Sequence, residues 1–346
     1  GELRFLTIRD KAGYQSYERS AILLLLAAYH KLYGERSAAV WIDYKESGAL
    51  RCRIAGRQTV TETELACLEA EMRVLAAAAH PIEKRSVPTR EAVRLFAARG
   101  MQDKAELLRF RIYSSVNLYR LGEYEDYFYG YMLPDSSYLT DFSLRPYEDG
   151  FVLCLPAQRL PMQLAAFQPS QKIFRAMEES RENLSRQKIE TVGALNARAA
   201  SGKMKELILC AEAQMEKRIG DLAEKICSRN AVRIVLIAGP SSSGKTTFAR
   251  RLATQLLALG KTPHAIEVDN YFKNRSDTPR DEKGNFDFES LGALDVDCFN
   301  RDLNALLRGE RVELPRFDFI SGERRYSGDF LQCSPSDILL VEGIHC

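Results

Sequence analysis

The sequence lacks several features that mark secreted, membrane-spanning or polyanion-binding proteins. Its eight cysteines are scattered with no Cys-x-x-Cys pair, which predicts neither a zinc site nor a disulfide scaffold and is typical of reduced, buried thiols. The longest apolar run, Ala21 to Tyr29, is about half the length that a membrane span needs. The formal net charge of +2 predicts no strong attraction to nucleic acid or to a membrane surface. We therefore expect a cytoplasmic protein.

The length of 346 residues predicts two or more domains. Helical patterns, among them the strongly apolar Ala21–Leu32, mix with alternating, strand-like segments over residues 1–169, which predicts an α+β domain. In residues 170–229, the segments Gln171–Arg186 and Met204–Cys227 carry apolar side chains at three- and four-residue spacing amid dense charge, as in amphipathic helices. We interpret residues 170–229 as a helical connector. From residue 230 onward strands alternate with helices, which predicts an α/β domain with a parallel sheet over residues 230–346.

One short segment of this last region has a specific chemical pattern. Residues Gly239–Thr246 fit G-x-x-x-x-G-K-[ST], preceded by a buried-strand pattern and followed by helical spacing, whereas the alternative is a serine-rich turn before a helix. In this phosphate loop, Gly239 and Gly244 let consecutive N–H groups face an anion, Lys245 contacts the β- and γ-phosphates, and the Thr246 hydroxyl binds Mg²⁺. The predicted ATP-binding residues are Gly239, Ser241, Ser242, Ser243, Gly244, Lys245, Thr246 and Thr247.

Two further strands are predicted in this domain. His264–Val268 is one, and the run Asp337–Val341 leads directly into Glu342. An acid at the end of a buried strand is where a phosphate-loop fold holds its Mg²⁺, although strands end in carboxylates in other folds too. We predict that Glu342 and Thr246 are the magnesium ligands.

The C-terminal third resembles the uridine kinase and phosphoribulokinase family. Five segments occur in the family's order: Gly239–Thr246, Val268–Phe272, Asn285–Glu289, Leu314–Phe319 with Gly322–Arg324, and Leu340–His345. The resemblance implies that Asp269 takes the proton of the acceptor hydroxyl, that Asp287 binds ribose hydroxyls and that Arg324 lines the acceptor site. The alternatives are a loop-capping role for Asp269 and ordinary loop positions for Asp287 and Arg324.

Two positions depart from the family's pattern. Uridine and cytidine kinases carry a tyrosine where this chain has Phe317 and a histidine where it has Gly322. Phe317 can stack on a base but cannot hydrogen-bond to it, and Gly322 offers only backbone groups. Because buried polar contacts discriminate more strongly than apolar fit, these changes favour a nucleoside kinase of unspecified base over a uridine kinase.

The N-terminal half resembles the second, editing-type domain of threonyl-tRNA synthetases. The matching segments are Arg19-Ser20 with His30–Gly34, Thr89–Gly100 and Leu118–Tyr124. Such editing domains use a His-x-x-x-His and a Cys-x-x-x-His pair. Here the first pair is absent, and Phe128 and Met132 occupy the positions of the second. Neither side chain can perform that ligand and base chemistry, so the resemblance implies a retained scaffold without the hydrolytic site.

The resulting hypothesis is an ATP- and Mg²⁺-dependent kinase that phosphorylates the 5′-hydroxyl of a nucleoside. One alternative is a nucleotide-gated protein that binds RNA or an aminoacyl group, which the near-neutral charge disfavours. Another is a phosphate-loop kinase of a sugar phosphate or of a pantothenate-like alcohol. We also expect this chain to be inactive by itself, because the later strands and the lid of such a kinase domain do not follow. The first strand would then lie at an open sheet edge, which favours self-association.

Overall fold

The computed structural model describes residues 5–34, 38–158, 160–229 and 231–346. The chain divides into two compact units, Gly1–Met204 and Lys205–Cys346. The start of the first predicted domain at residue 1 and the predicted boundary at residue 230 lie outside the described residues. None of the described helices is both long and apolar enough to cross a membrane.

The N-terminal unit mixes helices with antiparallel strands. Its helices are α1 (Lys11–Tyr33), α2 (Glu62–Ala77), α3 (Thr89–Ala98), α4 (Gln102–Arg109), α5 (Gln171–Arg186) and α6 (Val192–Ala200). Its strands are β1 (Val40–Glu46), β2 (Ala49–Ile54), β3 (Glu83–Pro88), β4 (Ser115–Leu121), β5 (Tyr124–Tyr127), β6 (Ser143–Tyr147), β7 (Gly150–Cys154), β8 (Pro156–Ala157) and β9 (Leu160–Leu164). They pair in the orders β1-β2-β7-β6, β3-β4-β5 and β8-β9.

The core of this unit is built on α1. The middle of the helix is apolar on nearly every side, and Leu23, Leu24 and Leu25 have no exposed surface. They belong to one cluster with apolar residues of α2 and of the β1-β2-β7-β6 sheet, including Met72 and Phe151. Burial on all sides accounts for the lack of an amphipathic pattern in α1.

The C-terminal unit contains a parallel sheet and a hairpin. Its elements are α7 (Met204–Cys227), β10 (Ile234–Ala238), α8 (Lys245–Ala258), β11 (Pro263–Glu267), α9 (Val296–Leu307), β12 (Val312–Asp318), β13 (Glu323–Leu331) and β14 (Ile338–Gly343). The predicted parallel sheet is confirmed, with the order β10-β14-β11. In the described part of the chain β10 pairs only with β14, and Leu236 on it is 59% exposed. The strand before the phosphate loop therefore lies at a sheet edge, as predicted.

The predicted connector is divided between the two units. Phe174 of α5 packs on Tyr147, and Gly193 of α6 packs so closely on α4 that an added Cβ would lie 2.7 Å from the Leu107 nitrogen. Ile219 of α7, in contrast, is buried against the parallel sheet of the C-terminal unit. The connector thus continues the cores of both units, and its boundaries stay a prediction.

The cysteines are all free thiols, as expected, but not all are buried. Cys52, Cys154, Cys298 and Cys333 are buried, whereas Cys67 and Cys210 are exposed. The expectation of burial is therefore wrong for these two, which lie on the solvent faces of α2 and α7.

Candidate active site

The phosphate-loop motif lies at the carboxyl end of the parallel sheet. β10 ends at Ala238, and α8 begins at Lys245. Gly244 joins loop to helix with a φ of 85°, in the left-handed region, and no described side chain caps the first turn of α8. The first N–H groups of a helix lack partners within the helix, and together with the helix dipole they attract an anion.

Close packing makes Gly239 necessary. A Cβ at this position would lie 2.8 Å from the Ser243 Oγ and 3.4 Å from the Lys245 Cγ. The Lys245 Nζ donates a hydrogen bond of 3.0 Å to the Pro240 carbonyl, which holds its charge over the loop. The predicted ATP-binding residues thus form one continuous turn from strand to helix: Gly239, Ser241, Ser242, Ser243, Gly244, Lys245, Thr246 and Thr247.

The two predicted magnesium ligands are in direct contact. Thr246, in the first turn of α8, donates a hydrogen bond of 2.6 Å from its Oγ1 to the Glu342 Oε1. Glu342 is only 8% exposed and lies near the end of β14, level with Ile237 of β10 and Glu267 of β11. The carboxyl ends of three strands therefore bring a hydroxyl and a buried carboxylate together beside the loop.

Asp269 provides a second carboxylate at the carboxyl end of the sheet, beside the phosphate loop. It follows β11 in a short 3₁₀ turn, Val268–Tyr271, and is half-buried. Burial raises the pKa of Asp269, and the neighbouring Glu342 charge raises it further, while Lys245 and His345 act in the opposite direction. Asp269 therefore lies among ionisable groups of both signs, with the Glu342 carboxylate as its like-charged neighbour.

Asp287 and Phe317, two predicted acceptor residues, have structural partners. The Asp287 Oδ1 accepts hydrogen bonds from the backbone N–H groups of Glu289 and Ser290, at 3.2 and 3.1 Å. Phe317 is 7% exposed, and its ring centroid lies 5.6 Å from that of Phe272, edge to face. Both side chains thus have structural partners in this unit, and their role in an acceptor site stays a prediction.

Arg324 is held near the start of α9. Its Nη2 donates a hydrogen bond of 2.8 Å to the Asp295 carboxylate, while its Nη1 is buried without a hydrogen-bond partner among the described residues. The backbone N–H of Arg324 donates to the Asn274 side chain at 3.0 Å. Arg324 therefore has hydrogen-bonding capacity left in a partly buried position, which agrees with a role in an acceptor site.

Comparison with known proteins identifies this part of the chain. Residues 234–346 match the model of the phosphoribulokinase/uridine kinase family. The C-terminal region is a P-loop domain of this family. The chain is 32% identical over 108 residues to a protein named uridine kinase from Halobacterium salinarum, covering 31% of this chain and 46% of that protein. A uridine kinase from Chloroflexus aurantiacus is 35% identical over 111 residues, covering 32% and 51% of the two chains.

The chain spans about half the length of these relatives. Among solved structures, that of a possible uridine kinase from Bacillus stearothermophilus is similar, with 27% identity and a TM-score of 0.33. The similarity covers 38% of this chain and 71% of that one.

His345 is a residue of this family domain that the sequence analysis left without a role. It follows β14 and lies near Asp269. The His345 Nε2 is buried and has no hydrogen-bond partner among the described residues. His345 is the last residue of Leu340–His345, one of the segments that resemble the family. Its position just after a predicted strand could have indicated a role in the site.

Arg275 is the second residue that the sequence analysis did not identify. Gly322 has a φ of 74°, and a Cβ there would lie 2.7 Å from the Arg275 Nε. The Arg275 Nη2 donates a hydrogen bond of 2.9 Å to the Phe319 carbonyl. The Arg275 guanidinium therefore packs against Gly322, and no local pattern in the sequence indicates this.

Phe128 and Met132, the residues predicted to replace the second ligand pair of an editing domain, pack against the α1 core. Their apolar contacts agree with a scaffold role. The resemblance of residues 1–169 to a synthetase editing domain stays a prediction.

Proposed function

We propose that this protein is a nucleoside kinase that transfers the γ-phosphoryl group of ATP to a ribose 5′-hydroxyl. The convergence of Thr246, Glu342 and Asp269 beside the phosphate loop carries this proposal. The family of residues 234–346 and the names of the relatives support it.

The chain's own residues have distinct tasks in this reaction. The loop amides and Lys245 bind the phosphates and stabilise the negative charge that develops during transfer. Asp269 accepts the proton of the acceptor hydroxyl on one of its carboxylate oxygens. A raised pKa makes a carboxylate a stronger base, which suits this task.

The residues present fit a magnesium ion. Thr246 and Glu342 offer a hydroxyl and a carboxylate oxygen, the hard ligands that Mg²⁺ prefers, and their oxygens are 2.6 Å apart. The repulsion between the Asp269 and Glu342 carboxylates is a second reason to expect a magnesium ion here, because a divalent cation relieves it. When bound with ATP, Mg²⁺ supplies charge neutralisation at the transferring phosphate.

The acceptor site would be formed by the segments around Asp287, Phe317 and Arg324. Phe317 and Gly322 provide no polar side chain for reading a base, so we propose that Arg275 supplies a charged group at that place. Its position against Gly322 supports this proposal. A sugar phosphate remains an alternative acceptor because two arginines, Arg275 and Arg324, are available near it.

The test is turnover of Mg·ATP by the full-length natural protein with a panel of nucleosides, ribose phosphates and pantothenate. We expect one nucleoside to be phosphorylated, and Asp269→Asn to lower kcat by about 10²–10⁴-fold while Mg·ATP still binds. Asp277→Asn, at an exposed position of the same unit, serves as the control with unchanged turnover. The proposal would be contradicted if ATP is hydrolysed but no acceptor is phosphorylated, or if Asp269→Asn keeps full activity.

A further inference from the structure

Three metal-binding side chains meet at the end of the parallel sheet that lies away from the phosphate loop. His264 is in β11, while Cys333 and Asp337 flank the short loop between β13 and β14. One donor atom from each lies within 4.8 Å of the other two. Their spacing along the chain, with almost seventy residues between His264 and Cys333, gives no sign of a site in the sequence.

The donors are held by the fold. The His264 Nε2 lies 2.9 Å from the Asp337 Oδ2, and that oxygen also accepts a hydrogen bond of 3.0 Å from the Ser334 N–H. The side chains of His264 and Asp337 are 23% and 10% exposed, and Cys333 is 3% exposed. Because the His264 imidazole is partly exposed while the other two donors are buried, an ion can reach the cluster from the His264 side.

The set of donors selects a class of metal. A thiolate, an imidazole nitrogen and a carboxylate oxygen bind zinc-type cations, and a thiolate is a poor ligand for Mg²⁺. Zinc lies about 2.0–2.3 Å from such ligands, which places tetrahedral donors roughly 3–4 Å apart. The observed separations need only small side-chain movements to reach this arrangement.

The place is separate from the candidate active site. Asp337 comes just before β14, and Glu342 lies near the strand's other end, so about 16 Å of extended chain separates the two carboxylates. A metal ion bound by His264, Cys333 and Asp337 would link β11 to the loop between β13 and β14. It would thus fix the position of β14, the central strand of the sheet.

We propose that His264, Cys333 and Asp337 form a zinc-type metal site that stabilises the C-terminal unit. A water molecule would complete the coordination, as in protein sites with three side-chain ligands. This inference does not depend on the proposed kinase activity, since none of its ligands belongs to that site.

The first test is a titration of the metal-free, nucleotide-free chain with Co²⁺, which replaces zinc and gives a charge-transfer absorption when a thiolate binds it. We expect one equivalent to produce this absorption and Zn²⁺ to displace it. Mg²⁺ sites give no such signal, so the phosphate-loop site does not contribute. The absence of the absorption in the unaltered chain would overturn the proposal without any variant.

Variants then identify the ligands. We expect Cys333→Ser to abolish the absorption, and His264→Gln and Asp337→Asn to weaken binding by about tenfold or more. Cys210→Ser removes an exposed thiol of the same unit and should change nothing. Loss of the signal in Cys210→Ser, or its survival in Cys333→Ser, would show an adventitious surface thiol only.

The pH dependence gives an independent readout. The Cys333 thiol must lose its proton when the metal binds, so the affinity for Co²⁺ should rise with pH. A pH-independent affinity would contradict a thiolate ligand.

Discussion

Charged groups are buried in both units, but their surroundings differ. In the N-terminal unit, Asp126 is 1% exposed, and the Lys104 Nζ, the Tyr124 hydroxyl and the Tyr127 N–H all donate to it, at 2.5, 2.9 and 2.7 Å. In the C-terminal unit, Glu342 is buried with one hydroxyl donor and stands next to a second carboxylate, Asp269. Full pairing of the first kind offsets the cost of burying a charge, whereas adjacent like charges add to that cost and are retained where chemistry needs them.

Arg51 gives the strongest test of the structural side of this comparison. Its guanidinium is 1% exposed, forms an ion pair with Asp149 and lies over the ring of Tyr147. We expect Asp149→Ala to lower the free energy of unfolding of the N-terminal unit by about 3–5 kcal/mol, because a buried charge loses its partner. Chemical denaturation measures this change.

The double variant Arg51→Met/Asp149→Ala is the matched control. Removing both charges should restore a large part of the stability, since an apolar side chain of similar length can fill the space. A double variant less stable than Asp149→Ala would show that the guanidinium contributes mainly through its other contacts.

Substitution of Gly322 tests the packing of Arg275 against this residue. The expected loss of stability is smaller than for Asp149→Ala. Gly322 and Gly328 both have a left-handed φ, 74° and 81°, but only Gly322 is crowded by Arg275. Alanine should therefore cost backbone strain at either position and an additional clash at residue 322. We expect Gly322→Ala to be about 1–2 kcal/mol more destabilising than Gly328→Ala. Equal costs would mean that Arg275 moves aside freely.

Substitution of Asp269 tests the pair of neighbouring carboxylates in the C-terminal unit. It has the smallest expected effect on stability. The folded pKa of Asp269 is raised, so the ionised carboxylate opposes folding at neutral pH, and this penalty disappears as the pH falls below its unfolded pKa. We expect Asp269→Asn to raise Tm by about 1–3 °C at neutral pH and by less near pH 4. A gain that does not change with pH would contradict a destabilising charge on Asp269, which burial and then Glu342 cause.

Sequence periodicity predicted two helices of the connector with the observed bounds, Gln171–Arg186 and Met204–Cys227, but not α6, Val192–Ala200, which lies between them. Both have apolar stripes at regular spacing, so their local pattern decides the structure. α1 starts ten residues before the predicted start at Ala21. Its first turns hold polar residues and tyrosines whose positions depend on distant partners, such as the Asp141 carbonyl that accepts a hydrogen bond from the Tyr17 hydroxyl.

The β12-β13 hairpin was not predicted as a pair of strands. β13 begins Glu-Arg-Arg and is mostly exposed, so it lacks the alternation of apolar and polar residues that marks a strand. Its register comes from pairing with β12, where Phe317 lies opposite Arg324. Within the candidate site, the motifs predicted the residues near the phosphate loop. They could not predict the approach of Arg275 to Gly322, because that contact joins distant segments.

The buried Arg51 also restricts which substitutions its neighbours tolerate. A Cβ at Gly150 would clash with both the Arg51 Nη1 and the Cys52 carbonyl oxygen. A shorter side chain at position 51 removes the first obstacle, but the second belongs to the backbone and stays in place. Glycine is therefore expected to be retained at position 150 even in variants that lose the arginine.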